Sequence, residues 1–305
     1  DPVLFTLQVD CESTQRSIGD PALGERALHG VAEVCADRGW KATFVAIPGD
    51  LAAHAAIYRQ LEAAGHEVGL HLHPGEEGHA EFLGVCGFDE QVAMLRAAAE
   101  VFAQHLGHPP AGFTPGYFSA NDLTFPALEA VGLRHGTVSC PTRNLPRCAC
   151  VWGDSPLDAH YPHRYNRCLR GTVDFVDVPL TIDPESRLWG GAHPQDLRVE
   201  LVDAKNHYYT IEKALKRQLA AGDQLPVKYI KALTHNIFDY SDPRDFRRET
   251  LLGIIAACGR LGEQHGVELV PATTGEIAAR NRAAVPLPVA GERPERDTRG
   301  RAAWK

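Results

Sequence analysis

No stretch of this chain approaches about 18 continuous apolar residues, the length a helix needs to cross a bilayer, so a membrane-spanning helix is excluded. Runs of Lys and Arg with interleaved aromatics are also missing, and the net charge of -8 over 305 residues is spread rather than blocked. Such a surface has nothing to track a phosphate backbone, and nucleic acid is not an expected partner. The N-terminus lacks the basic and apolar regions of a signal peptide. The expectation is a soluble, cytoplasmic protein, although a chain starting at Asp1 rather than Met is compatible with a removed leader. There is no internal repeat, and no composition shift before residue 280 marks a domain boundary.

Eight cysteines are diluted through a domain large enough to fold without staples, which favours reduced thiols. Cys140, Cys148, Cys150 and Cys168, around RCACVWG, form the one local concentration. A second structural zinc, one or more disulfides, or plain buried thiols are the readings open there.

What is present is a repeated alternation. Short β-branched runs (VLFTLQV, KATFVAI, HEVGLHL, GFTPGY, HGTVS, TVDFVDVPLTI, VKYIKALTH, VELVPAT) alternate with helical patterns, one ended by Gly39, one opened by Asp50, one starting near Asp89 and one capped by Asn121. Strand-helix alternation argues an α/β fold with a parallel sheet, and seven or eight such units fit a closed or nearly closed barrel better than an open sheet. The stretch 140–171 lacks a period and reads as a covering loop. The expected organisation is one barrel domain over 1–282 and a Pro/Arg-rich tail over 283–305 that packs on the barrel or on another subunit, so a homo-oligomer is compatible with it.

In parallel barrels chemistry sits at the C-terminal ends of strands, and Asp10, Glu12, His71, His73, Tyr117 and His235 all fall there. Asp10 and Glu12 in LQVDCES, like His71 and His73 in HEVGLHLHPG, have the i, i+2 spacing that puts two side chains on one strand face. Two carboxylates this close repel each other in a dry pocket, and a cation between them is the simplest remedy. The ordinary alternative is that one of them caps the following helix. Imidazoles with a carboxylate make a mononuclear site for zinc first, or for cobalt, nickel, iron or manganese, with water in the open position. His79 is a reserve ligand. His235 closes KYIKALTH where an imidazole can reach a leaving group, or simply bonds backbone at a strand terminus. His66 would lie at the opposite end of the barrel.

The order LFTLQVDCE, KATFVAI, GHEVGLHLHP, AGFTPGYFSAND, ALEAVGLRHGTVS, FVDVPLT and IKALTHN resembles the polysaccharide deacetylases (carbohydrate esterase family 4, the NodB-homology fold), as a divergent member, across most of residues 1–240. The resemblance implies a distorted parallel β/α barrel with a single divalent metal. It casts Asp10 as catalytic base, Glu12, His71 and His73 as metal ligands and His235 as general acid, with the Asp10 and Glu12 roles exchangeable. Tyr117, Thr114, Leu233 and Trp152 are the substrate-binding candidates. Three positions depart from the family pattern: Asp10-Cys11-Glu12 replaces an adjacent Asp pair, His73 replaces a second His expected at Gly75, and Thr114 stands near where an Arg orients the base. Arg143 or Arg164 is then the candidate source of that charge.

The expected activity is metal-assisted hydrolysis of a C–N amide bond, removing an N-acyl group, acetyl above all, from an amino sugar or a related small or terminal substrate. A deformylase or a cyclic-amide hydrolase would use the same residues. The loop 140–171, with Trp152, His160, Tyr161, His163 and Tyr165, suits a compact substrate better than a polymer. Outside this class stand a catalytically silent sugar- or metal-binding barrel and, more weakly, a metal-dependent phosphoesterase.

Overall fold

The first strand, β1 (Val3–Cys11), is buried at all nine positions, as a strand covered on both faces must be. The computed structural model describes residues 2–186, 188 and 190–288. After β1 come β2 (Ala42–Ala46), β3 (Glu67–Leu72), β4 (Gly112–Pro115), β5 (His135–Gly136), β6 (Val176–Asp177), β7 (Tyr229–His235) and β8 (Leu269–Pro271). All pairings in this sheet are parallel, in the order β6-β5-β4-β3-β2-β1-β7, with β8 pairing the first part of β1.

The sheet curls into a barrel whose last gap, between β6 and β7, is closed by irregular chain. Thr181 N–H donates to Lys231 O at 3.3 Å, and Leu233 exchanges bonds with Leu197 O at 3.0 Å and Val199 N at 2.9 Å. The distorted α/β barrel expected from the alternation is therefore the fold.

The helices are α1 (Pro21–Arg38), α2 (Pro48–Ala63), α3 (Phe88–Leu106), α4 (Thr124–Ala130), α5 (Ala204–Ala221), α6 (Phe246–His265) and α7 (Thr274–Ala284). Local chemistry sets several of their ends. The Asp20 carboxylate accepts from Leu23 N at 2.9 Å to start α1, and Gly39, at φ +64°, stops it. Helix α2 starts earlier than expected, at Pro48, and Asp50 turns its carboxylate away from the helix. Pro126 sits in the first turn of α4, which begins at Thr124, and Asn121 caps the preceding turn by accepting from Leu123 N at 2.9 Å. The sequence reading omits α7, although TTGE carries a capping box in which Thr273 and Glu276 satisfy each other's backbone N–H groups. That helix runs to Ala284, and from 289 onward the expected tail lies outside the described residues.

Most of the TVDFVDVPLTI segment is irregular, with strand only at Val176–Asp177 and at Ile182–Asp183, the latter in a small antiparallel pair with Gln195–Asp196. The covering stretch 140–171 is built from two more antiparallel pairs, Asn144–Leu145 with Cys150–Val151 and Pro162–His163 with Asn166–Arg170. All eight cysteines are free, and among the described residues Cys140, Cys148, Cys150 and Cys168 do not gather into a metal cluster.

Alternation along β1 gives the barrel two different buried faces. Leu7, Val9 and Cys11 join the large apolar cluster that includes Leu28 and Val31 of α1 and Leu51 of α2. Thr6, Gln8 and Asp10 fall in register with Lys231, Leu233 and His235 of β7. A polar face so enclosed is tolerable only when its groups find partners. Lys231 Nζ donates to Thr274 Oγ1 at 2.7 Å, and at the N-terminal end of β3 Glu67 accepts from His135 Nε2 at 2.5 Å, from Thr43 Oγ1 at 3.0 Å and from Gly275 N at 2.7 Å.

Candidate functional site

At the upper rim, Glu12, His71 and His73 converge, and they are the metal-capable cluster among the described residues. His71 is the penultimate residue of β3, and His73 follows the strand end, where Pro74 starts a 3₁₀ turn. Glu12 lies just past β1, where the chain bends. The bend is fixed by a network that no local motif announces. Asn236 Oδ1 accepts from Glu12 N at 2.7 Å, and Asn236 Nδ2 donates to Asp50 Oδ2 at 2.6 Å. Asp50 Oδ1 in turn accepts from Ser13 Oγ at 2.8 Å and Thr14 N at 3.0 Å.

Donor chemistry decides whether the cluster suits a cation. His71 Nδ1 bonds the Thr114 carbonyl at 2.8 Å, so in the neutral ring Nδ1 carries the proton and Nε2 is the lone pair a cation would take. That Nε2 lies 3.2 Å from His73 Nε2 and 3.5 Å from Glu12 Oε2, and the third edge, His73 Nε2 to Glu12 Oε2, is 2.9 Å. Ligands of a tetrahedral centre with bonds of 2.0–2.1 Å stand roughly 3.3 Å apart. The triangle therefore fits a divalent ion. His73 Nδ1 faces the Gln15 side-chain amide at 3.4 Å and the Glu81 carboxylate at 3.9 Å. His79 is exposed and outside the cluster.

The same three groups also bias one another's charge. Burial pushes the Glu12 carboxyl up, but hydrogen bonds from His71 and His73 and the charge of His235 outweigh it and hold the group far below the usual carboxylate range. Burial pulls His71 down, and the charges of Asp10 and Glu12 more than reverse that.

Asp10, 5 % exposed, stands apart from the triangle. Its Oδ1 accepts from Gln8 Nε2 at 2.7 Å. Neither arginine considered for that role reaches it: Arg143 is paired with Asp196 and lies over the Phe118 ring at 5.1 Å, and Arg164 binds Glu129 at 2.6 Å. Asp196 lies beyond the covering stretch and Glu129 in α4, so both arginines are held by carboxylates distant in sequence, which a sequence-local search cannot reveal.

His235 ends β7 beside Asp10, its partner in register, with Nε2 3.9 Å from Glu12 Oε1. Its Nδ1 bonds Glu200 Oε1 at 2.6 Å. Burial lowers the imidazole, but the Glu200 carboxylate, aided by Glu12 and Asp10, raises it to about 9, so at neutral pH the ring is a proton donor. Glu200 escaped the sequence reading because it lies in the irregular gap-closing segment, where no period marks a face. The i, i+2 rule carried one step back from Asp10 would have found Gln8.

Of the four substrate-binding candidates, Tyr117 is 46 % exposed, whereas Thr114, Leu233 and Trp152 are fully buried. Tyr117 and Phe118 are both left-handed, at φ +60° and +53°, a costly conformation for two successive non-glycine residues. Gly116 permits the turn, since a Cβ there would lie 2.6 Å from the His73 ring. The Tyr117 ring meets His73 edge-on at 5.0 Å between centroids and Phe82 at 5.3 Å. Trp152 Nε1 donates to Phe118 O at 2.9 Å, so the covering stretch is anchored to this turn.

Residues 25–136 match the family pattern of the polysaccharide deacetylases, a span that contains His71, His73 and Tyr117 but neither Asp10, Glu12 nor His235. No curated protein matches the sequence. Among solved structures the chain is similar to a candidate polysaccharide deacetylase from Pseudomonas aeruginosa PAO1, at 12% identity and a TM-score of 0.65 over 94% of this chain and 93% of that one. It is also similar to a candidate polysaccharide deacetylase from Mycobacterium smegmatis (14%, TM-score 0.61, 96% and 95%) and to an allantoinase (12%, TM-score 0.63, 93% and 91%). At such identities the structural likeness speaks for the fold alone. Residues 25–136 are thus similar in sequence to the polysaccharide deacetylases, and the chain shares its fold over nearly its whole length with structures described by that name.

Proposed function

We propose that this chain is a metal-dependent hydrolase of C–N amide bonds that removes an N-acyl group, acetyl above all, from an amino sugar or a related small or terminal substrate. The observation that carries the reading is the Glu12, His71, His73 triangle, with Asp10 and the Glu200-bonded His235 side by side in register next to it. Glu12 Oε2 and the two Nε2 atoms would hold one divalent ion, zinc before cobalt, nickel, iron or manganese. Such an ion supplies Lewis acidity toward a carbonyl oxygen and acidity to a water.

The protein's own groups do the rest. Asp10 takes the proton of the attacking water on the oxygen that Gln8 leaves free. The backbone N–H at the Tyr117 turn donates to the developing oxyanion, and its strained conformation holds it there in advance. His235 passes its Nε2 proton to the departing nitrogen, while Glu200 keeps the other ring nitrogen protonated and the ring in place.

The anchoring of Trp152 to Phe118 bounds one side of the site and favours a compact or terminal substrate, which also keeps a cyclic amide in range. Metal analysis of the purified protein, followed by acetate and formate release from a panel of N-acylated sugars and small cyclic amides, tests the reading. Bound divalent metal with acyl release is expected. A metal-free protein that releases neither acid would leave a silent barrel.

A further inference from the structure

Gln8 is a buried side chain, 1 % exposed, that the catalytic scheme does not require. Its amide nevertheless spans three groups. Nε2 donates to Asp10 Oδ1 at 2.7 Å and to Thr114 Oγ1 at 3.2 Å, while Oε1 accepts from Thr137 Oγ1 at 2.8 Å. Both hydroxyls are fully buried and come from different strands of the barrel, Thr114 from β4 and Thr137 from the continuation of β5.

The orientation of the amide is forced. Turned over, it would set Oε1 against the Asp10 carboxylate, oxygen against oxygen, and the donor bond would be lost. The two hydroxyls, which can donate or accept, follow that orientation: Thr137 donates to Oε1 and Thr114 accepts from Nε2. No Arg or Lys forms an ion pair with Asp10 among the described residues, and Arg143 and Arg164 are committed to Asp196 and Glu129.

We propose that Gln8, clamped by Thr137 and Thr114, is the positioning residue of Asp10. A neutral amide holds one carboxylate oxygen and thereby aims the other at the metal triangle. The inference rests on the reading of Asp10 as base. A carboxylate on one bond to a strand neighbour could swing about its Cα–Cβ axis, whereas an acceptor held by an amide pinned at both ends cannot. A displacement of about 1 Å at such a group costs roughly 10²-fold in rate.

The test uses the metal-loaded protein and the variants Gln8→Met, Thr137→Val and Thr137→Ser, alone and, for Gln8→Met, combined with Asp10→Asn. Gln8→Met is expected to lower kcat roughly 10²-fold with KM and metal content unchanged. Thr137→Val should show a smaller loss of the same kind, and Thr137→Ser, which keeps the hydroxyl, should recover most of it. In the Asp10→Asn background Gln8→Met should cost nothing further, because its effect runs through that carboxylate. An additive loss there, or an unchanged kcat in both Gln8→Met and Thr137→Val, overturns the proposal. If the wild-type protein hydrolyses no N-acyl substrate, the reading of the function has failed by itself. Crystal structures of wild type and Gln8→Met then decide the positioning: a rotated Asp10 side chain in the variant supports it, and an unmoved one overturns it.

Discussion

At the N-terminal ends of the strands Glu67 meets His135, and at the C-terminal ends Glu12 meets His71 and His73. The residue types are the same, the lower pair partly buried and the upper three buried, yet the two ends do opposite work. Below, Glu67 accepts from an imidazole, a hydroxyl and a backbone N–H, so its lone pairs are used within the protein. Above, the outer nitrogen of His71 is bound to a carbonyl and the inner acceptors point at one another. Saturation makes a plug, and converging lone pairs make a ligand site. What separates them is the direction of the hydrogen bonds, since the Thr114 carbonyl dictates the His71 tautomer.

The largest expected effect breaks the upper end outright. His71→Ala removes one corner of the triangle, and metal analysis should find divalent metal at background with acyl release lost. A variant that keeps stoichiometric metal would move the ligand set elsewhere. Next, Asp10→Asn separates base from ligand: turnover should fall about 10³-fold while metal content stays at the wild-type level. Loss of the metal in that variant would exchange the roles of Asp10 and Glu12.

The lower end should fail differently. Glu67→Ala leaves His135, the Thr43 hydroxyl and the Gly275 N–H without their shared acceptor, and denaturant unfolding should register a loss of about 3 kcal/mol. Turnover per folded molecule should be unaffected. The pH dependence sharpens this contrast. Burial pushes the Glu67 carboxyl up, but His135 and the Gly275 N–H more than offset it and hold it at about 2, below its ordinary 4.5. A depressed carboxyl stabilises the fold fully above its unfolded value, and that contribution is lost as the pH falls from about 4.5 toward 2. On this count the loss amounts to about 3 kcal/mol. Unfolding curves of wild type and Glu67→Gln should therefore converge as the pH is lowered through that window. Curves that stay parallel would remove Glu67 from the account of acid stability.

The smallest effect lies at the upper rim, away from the triangle. Glu200→Gln should reduce kcat about 10-fold with metal content intact, since an amide still accepts the His235 Nδ1 proton but no longer supports the ring's charge. A loss as large as that of Asp10→Asn would make Glu200 more than a partner of the imidazole.

The legibility of the site followed the regularity of its backbone. Asp10, His71 and His235 occupy strands, and Glu12 and His73 lie one residue beyond strand ends, so the two-residue period and the position of each run placed them without coordinates. Gln8 obeys the same period, but a glutamine on a buried face carries no chemical signal of its own. Glu200 lies on chain that no period describes, and it reaches His235 because that segment fills the gap beside β7. Asp50 carried a misleading signal, since a helix-opening carboxylate reads as a cap and here it ties down the bend that presents Glu12.

The sequence by itself determined the alternation of strands and helices, the barrel that follows from it, and the residues that reach the rim. These depend on side-chain periods and on turn chemistry, which are local. Tertiary structure decided which rim residues converge, which nitrogen of His71 is bare, and which partners hold Asp10 and His235. Those outcomes depend on hydrogen bonds between strands far apart in the chain, and the direction of such a bond is fixed only when both partners have been brought to the same place.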